Sequence, residues 1–157
     1  MISRNAINAL KSLEGFSALE YTCVAGKRTI GYGHLLRPDE SYVCGLNEQQ
    51  AEEILLQDLS LFETAINTLV NVPLEQYQKD ALLCFIFNIG IYAFQRSTLL
   101  KELNAGHYDN VPAQMLRWIY VNGKPCSGLV RRRQTEAAMF ENKSGRKRPF
   151  FYKEEKK

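Results

Sequence analysis

No stretch of the 157 residues approaches the roughly 20 consecutive apolar positions that a membrane span needs. The opening MISRNAINALKSLEGF likewise lacks the apolar run followed by small residues that marks a signal peptide. The expectation is a chain made and kept in the cytoplasm, without stable membrane insertion, until something else releases it. Cysteine is sparse and scattered: Cys23, Cys44, Cys84 and Cys126 form no C-x-x-C pair, which argues against a disulfide scaffold and a zinc finger. With two histidines to add, no metal site is pre-formed by spacing, and no metal or other cofactor is expected. Positive charge is scarce in the body. The formal charge is +3, but residues 143–157 hold seven Lys/Arg against two Glu, net +5, so residues 1–142 carry −2. The folded part is therefore no basic nucleic-acid surface, and no nucleic-acid partner is expected.

What is present is a core-forming composition, 45% hydrophobic and 11% aromatic, enough for one catalytic-sized domain over residues 1–142 followed by a basic tail at 143–157. Within that domain the pattern divides into a small sheet lobe at 14–45 and a helical lobe at 46–142. Residues 2–13 place Ile2, Ala6, Ala9, Leu10 and Leu13 at helical spacing and stop at Glu14-Gly15. From Phe16 to Leu36, Tyr, Thr, Val and Ile interrupted by Gly26, Gly31 and Gly33 read as short strands with tight turns, the one strand region expected. Asn47 with Gln50 opens a long helix that Pro73 closes. The segment LEQYQKDALLCFIFNIG is apolar on nearly every side from Ala81 to Phe87, which predicts a buried helix ending at Gly90. Shorter helices are expected at 93–103, 110–118 and 128–140. The sum is an α+β fold, mostly helical with one small antiparallel sheet. Phe150 and Phe151 could dock the tail loosely.

Three residues with chemistry converge in this scheme. Glu14 sits at a helix end, and Cys23 and Thr29 lie in the strand region. A three-residue loop at Ala25-Gly26-Lys27 would set Val24 opposite Arg28 and Cys23 directly opposite Thr29, on a face that Glu14 can overlook. A two-residue loop would shift the register by one and split the pair, so both arrangements stay open. Isolated Glu, Cys and Thr residues are common, and the trio gains meaning from the words around it.

The segment LEGFSALEYTCVAGKRTIGYGHL resembles the catalytic stretch of the phage lysozyme (endolysin) family, glycoside hydrolases whose motif is Glu, eight residues, Asp or Cys, five residues, Thr, then a T-I-G-x-G-H-like run. Glu14, Cys23 and Thr29 fall on that spacing without a gap. Two further blocks are similar to the family's later helices: QKDALLCFIFNIGIYAFQRSTLLKELNAG and LRWIYVNGKPCSGLVRRRQTEAAMF. Together they carry the resemblance over residues 5–141. It implies a lysozyme-like fold and a monomeric muramidase that hydrolyses the β-1,4 bond between N-acetylmuramic acid and N-acetylglucosamine of bacterial peptidoglycan, causing lysis. It implies Glu14 as proton donor, Cys23 at the second catalytic position and Thr29 as the water-positioning hydroxyl. Many members carry Asp where this chain has Cys23. Leu35, Phe87, Asn88 and Ser97 match positions that line the family's saccharide cleft, while Pro112 stands where members can offer a polar side chain, with Gln114 as a weak substitute.

Glycosidic hydrolysis needs an acid to protonate the leaving oxygen and a group that steers water. An acid working at neutral pH needs neighbours that disfavour a carboxylate, and Phe16, Tyr21 and Ile30 are the candidates near Glu14. A thiol at Cys23 needs help to ionise, for which the cations of Arg28 and Lys27 are near in sequence. The expected reaction is a single displacement with inversion. His34 and Trp118 read as packed structural residues, and of Arg131, Arg132 and Arg133 one is expected to pair with Glu136 while others face solvent. Because peptidoglycan lies outside the cytoplasm, action in the periplasm or on the wall requires a holin-type lesion or an export machine. Two other readings belong beside this one: a lytic transglycosylase on the same fold, and a catalytically silent glycan-binding module.

Overall fold

The computed structural model describes residues 1–143, which form two compact units, Ile2–Leu61 and the chain from Phe62 onward together with Met1. The expected basic tail, with Phe150 and Phe151, lies outside the described residues apart from Lys143.

In the first unit, helix α1 (Arg4–Glu14) starts at Ser3, whose hydroxyl accepts the Ala6 N–H at 3.0 Å, and stops at Gly15, φ +73°. Its buried face is Ala6, Ile7 and Leu10. Strands β1 (Ser17–Thr22), β2 (Arg28–Gly31) and β3 (His34–Leu35) follow as an antiparallel sheet in the order β1-β2-β3. β1 is largely exposed, whereas Thr29, Ile30 and Gly31 of β2 are buried. Helix α2 (Glu48–Leu69) opens with the reciprocal cap foreseen for Asn47 and Gln50, each side chain accepting the other's backbone N–H, at 2.8 and 2.9 Å. Ala51, Leu55 and Leu59 of α2 are buried, and the helix carries the chain across the unit boundary.

His34 anchors the end of the sheet. Its Nδ1 lies 2.8 Å from Asp58 Oδ2 and its Nε2 lies 2.9 Å from Glu40 Oε2, while Glu40 also accepts the Tyr42 hydroxyl and the Arg37 N–H, each at 2.9 Å. The Asp58 contact leads in raising the His34 pKa, against burial. Burial pushes the Glu40 pKa up, but the Arg37 N–H and His34 outweigh it and bring it down to about 2. His34 is thus the hydrogen-bonded structural residue the sequence suggests.

In the second unit α3 (Gln76–Ile89) is the buried axis expected, with Ala81 through Ile86 fully buried. It packs against α7 (Ser127–Phe140), which also meets α6 (Val111–Met115). Three expectations need correction. The helix expected at 93–103 is two helices, α4 (Ile91–Gln95) and α5 (Thr98–Asn104), because Ser97 leaves helical geometry (ψ 151°) and caps α5. The helix expected at 110–118 ends at Met115, after a 3-10 turn at Tyr108–Asn110. A second hairpin, β4 (Tyr120–Val121) with β5 (Lys124–Pro125), turns through Asn122 (φ +52°) and Gly123 (φ +79°), an Asn-Gly turn that the strand analysis passed over.

The arginine triplet also differs from expectation. Arg132 and Arg133 are both buried on the fully buried Glu136, at 2.9 and 3.1 Å, since positions three and four residues away reach the same side chain. Arg131 is exposed.

Candidate active site

Glu14 is the last residue of α1, and Gly15 turns the backbone away beyond it. Its carboxyl packs on the α-carbon of Gly33 in the tight turn between β2 and β3: a Cβ added at Gly33 would stand 2.6 Å from Glu14 Oε1. The turn itself requires φ +76° at Gly33, so the glycine both closes the turn and makes room for the acid. The sequence reading used Gly33 only as a strand breaker. Its place in the T-I-G-x-G-H run was the signal that could have marked it.

Cys23 and Thr29 are brought together, but not by the expected pairing. The observed partners are Tyr21 with Thr29 and Thr22 with Arg28, two residues off the expected register. The loop is Val24-Ala25-Gly26, closed by Cys23 N–H to the Lys27 carbonyl at 2.9 Å and Gly26 N–H to the Cys23 carbonyl at 2.8 Å, with Gly26 at φ +80°. Cys23 therefore faces Lys27, and Thr29 is its diagonal neighbour on the same side of the sheet. The Thr29 hydroxyl still stands near enough to the Cys23 sulfur to help lower its pKa. It also lies 2.9 Å from the Lys27 carbonyl, and having one proton it donates to one of the two at a time.

The Cys23 thiol pKa is lowered, first by the Lys27 backbone N–H, against burial, and further by the Ala25 N–H and the Thr29 hydroxyl. The helper is thus the turn's main chain and not the cations that the sequence suggested. Arg28 points elsewhere, its Nε and Nη2 donating to Glu20 at 3.2 and 3.0 Å and its Nη2 also to the Glu40 carbonyl at 2.9 Å. Glu14 enters the same neighbourhood through Tyr21, whose phenol is pushed up first by burial and then by the negative charges of Glu14 and Cys23. Thr29 is 3% exposed and Cys23 is half-buried, so the pair is a sheltered polar spot on a largely exposed strand.

The four positions expected to line a saccharide cleft fall on both units. Leu35, in β3, is 50% exposed. In the other unit, Phe87 packs on Phe62 in a tilted pair with ring centroids 5.2 Å apart, a packing role independent of any ligand. Asn88 is exposed at the end of α3, and its Oδ1 accepts from Nη2 of Arg133, whose fully buried guanidinium also lies 5.1 Å from the Phe85 ring. Sequence reasoning missed this support, because the buried arginine looks like surface charge. The Ser97 hydroxyl is committed to structure, donating to the Phe94 carbonyl at 2.7 Å and accepting the Leu100 N–H at 3.0 Å. Pro112 is buried within α6. Trp118 packs edge-on against Phe85 and is half-exposed. Among the described residues, no group of three or more His, Cys, Asp and Glu side chains could hold a metal ion.

Against known proteins, the chain is 41% identical over 145 residues to the endolysin of Acyrthosiphon pisum secondary endosymbiont phage 1, covering 90% of this chain and 98% of that one. It is 41% identical over 132 residues to the SAR-endolysin of Escherichia phage Mu, covering 84% and 76%. Among solved structures, the muramidase domain of SpmX from Asticaccaulis excentricus superposes with a TM-score of 0.81 at 35% identity, covering 89% of this chain and 97% of that one. The lysozyme-like α+β fold is thereby established. With the phage lysozyme family model matching residues 11–136, the stretch that holds the Glu14 turn, the Cys23 hairpin, the first later helical block and most of the second, the chain belongs to the phage lysozyme family.

Proposed function

We propose that this chain is a muramidase that lyses bacteria by hydrolysing the β-1,4 bond between N-acetylmuramic acid and N-acetylglucosamine in peptidoglycan. The carrying observation is a helix-end carboxyl seated on Gly33 and, in the same unit, a turn-stabilised thiol beside a sheltered hydroxyl, with Tyr21 feeling the negative charge of both Glu14 and Cys23. Glu14 gives its proton to the bridging oxygen as the bond to the anomeric carbon breaks. A water on the opposite sugar face attacks that carbon, its own proton passing to the Cys23 thiolate. With its single proton given to the Lys27 carbonyl, the Thr29 oxygen accepts from the water and aims it. The product inverts at the anomeric carbon.

Solubilisation of purified peptidoglycan tests the reading, with loss of at least about 10²-fold in Glu14→Gln. An intact rate in that variant refutes Glu14 as the acid, and no cleavage by the unaltered chain leaves only a glycan-binding module. The Thr29–Cys23 pair favours hydrolysis over the transglycosylase reaction, which needs no water, and mass spectra showing anhydromuramic ends would reverse that choice. A retained β-anomer would sink inversion. The proposed route to the wall is release as a monomer through a holin-type lesion or an export machine. No described helix is long and apolar enough to cross a membrane by itself.

A further inference from the structure

Gly33 seats the Glu14 carboxyl, but a turn built on glycines does not hold its own shape. Gly31 and Gly33 flank Tyr32 between β2 and β3 at φ +66° and +76°, and glycine backbone has many other conformations open to it. A contact from outside the turn has to fix it. The side chain available for this is that of Tyr32, which is 6% exposed.

Two contacts grip the Tyr32 ring, and both come from the chain beside the acid. Lys11, three residues before Glu14 on α1, places its Nζ 5.4 Å from the ring centroid. Phe16, two residues after Glu14, meets the same ring with centroids 5.5 Å apart and planes tilted by 50°. A cation near an aromatic ring and a tilted ring pair are both attractive arrangements of the aromatic quadrupole. Lys11 is itself tethered, because its ammonium pairs with Glu52 of α2, which also takes Arg4 of α1 at 3.1 Å. Swinging Lys11 off the ring would therefore break an ion pair as well. The contacts close a circuit: from the Glu14 carboxyl to Gly33, across one peptide bond to Tyr32, through its ring to Lys11 and Phe16, and along the chain back to Glu14.

We propose that Tyr32 is a positioning residue for the proton donor: its ring ties the Gly33 turn to both flanks of Glu14 and so fixes where the acid stands. Being buried, it acts through Glu14 and not on the sugar. This rests on the muramidase reading and deepens it by naming what holds the acid. A ring that merely filled the core would lower stability and rate alike whether or not the acid is present. The rate effect of a positioning residue disappears once the group it positions is gone.

The test measures kcat and KM on soluble, uncrosslinked peptidoglycan strands, well below the melting temperature of each variant. Tyr32→Leu should lower kcat about tenfold with KM changed by less than about twofold, and Tyr32→Phe, which keeps the ring, should recover most of the loss. In the Glu14→Gln background the same Tyr32→Leu change should alter the residual rate by less than about twofold. Lys11→Met takes the cation off the ring from a half-buried position and carries the test if Tyr32→Leu does not fold. It should lower kcat about threefold with Glu14 in place and leave the residual rate of Glu14→Gln as it was. Equal losses in the two backgrounds, an undiminished kcat in Lys11→Met, or an effect on KM alone overturns the positioning role while leaving the muramidase reading in place. If wild type does not cut the strands, that reading fails and the positioning role falls with it.

Discussion

Replacing Gly33 by alanine offers a direct measure of how closely the acid is seated. The new Cβ would lie 2.6 Å from Glu14 Oε1, 3.0 Å from Cδ and 3.2 Å from Cγ. Ordinary van der Waals contact begins at 3.4 Å, so the oxygen must retreat by 0.8 Å (3.4 − 2.6). Rotating the carboxyl does not suffice, because the two carbons behind it are also crowded. A displacement of about 1 Å at a reacting group costs on the order of 10²-fold in rate. Alanine at φ +76° adds backbone strain of about 1 kcal/mol, worth about 2–4 °C of melting temperature in a chain of this size. Gly106→Ala separates the two effects, since its φ is +85° and an added Cβ meets nothing within 4 Å. Initial rates of peptidoglycan solubilisation, measured beside thermal melts, should show similar destabilisation in both variants and the large rate loss in Gly33→Ala alone. A Gly33→Ala enzyme that melts like Gly106→Ala yet works within twofold of wild type would refute this placement of the proton donor.

The lowered Cys23 thiol should set the rising limb of the kcat/KM profile at a pH below the ordinary thiol value of 9.0. Cys23→Ser should remove that limb and slow the enzyme, and Cys23→Asp should move it into the carboxylate range. A profile unchanged in both variants would exclude the thiol as base. The His34 cluster predicts a stability window. Glu40, lowered from 4.5 to about 2, contributes fully above pH 4.5 and loses its contribution as pH falls towards 2; the 2.5-unit drop (4.5 − 2) sets an upper value of about 3 kcal/mol. His34, raised from 6.5, contributes fully below 6.5 and loses its share as pH rises through its folded value. Urea midpoints of wild type and His34→Gln should therefore differ most between pH 4.5 and 6.5, and a gap independent of pH would contradict the linkage. Glu136→Leu removes the carboxylate shared by two buried guanidiniums and should cost about 3–5 kcal/mol in denaturant unfolding. A loss below 1 kcal/mol would mean that the network does not depend on it.

The long helices were legible because each has one continuous cause. Ala81 to Phe87 can only be a buried axis, and Asn47 with Gln50 announces its own helix. Short-range chemistry was read less well where a polar side chain had two plausible uses. Ser97 looked like part of a helix and a sugar ligand, but its hydroxyl satisfies the Phe94 carbonyl and the Leu100 N–H, and that capping breaks the helix in two. Arg133 looked solvated because arginine usually is. Its burial depends on Glu136, Asn88 and Phe85 meeting it, and two of those three come from a helix more than forty residues earlier. No periodicity within α7 encodes that meeting.

The hairpin shows why a mistaken pairing still placed the right side chains together. Moving the loop from 25–27 to 24–26 exchanges each cross-strand partner beside the loop for one two residues away, and Thr29 loses Cys23 as its direct neighbour to Tyr21. Side chains alternate between faces with a period of two, so an even shift leaves every residue on its original side, whereas a shift of one would have turned Cys23 away from Thr29. The even shift also changes the chemistry. At the diagonal position the sulfur lies at the mouth of the loop, where the N–H groups of Lys27 and Ala25 reach it before any cation does. A thiol directly opposite Thr29 would have had the hydroxyl but not the turn. The exchange of carboxylate for cysteine is thus tied to this loop, and lengthening it by one residue should raise the Cys23 pKa, read as a slower thiolate-dependent alkylation at neutral pH. If alkylation is as fast in the longer loop, the turn is not what ionises the sulfur.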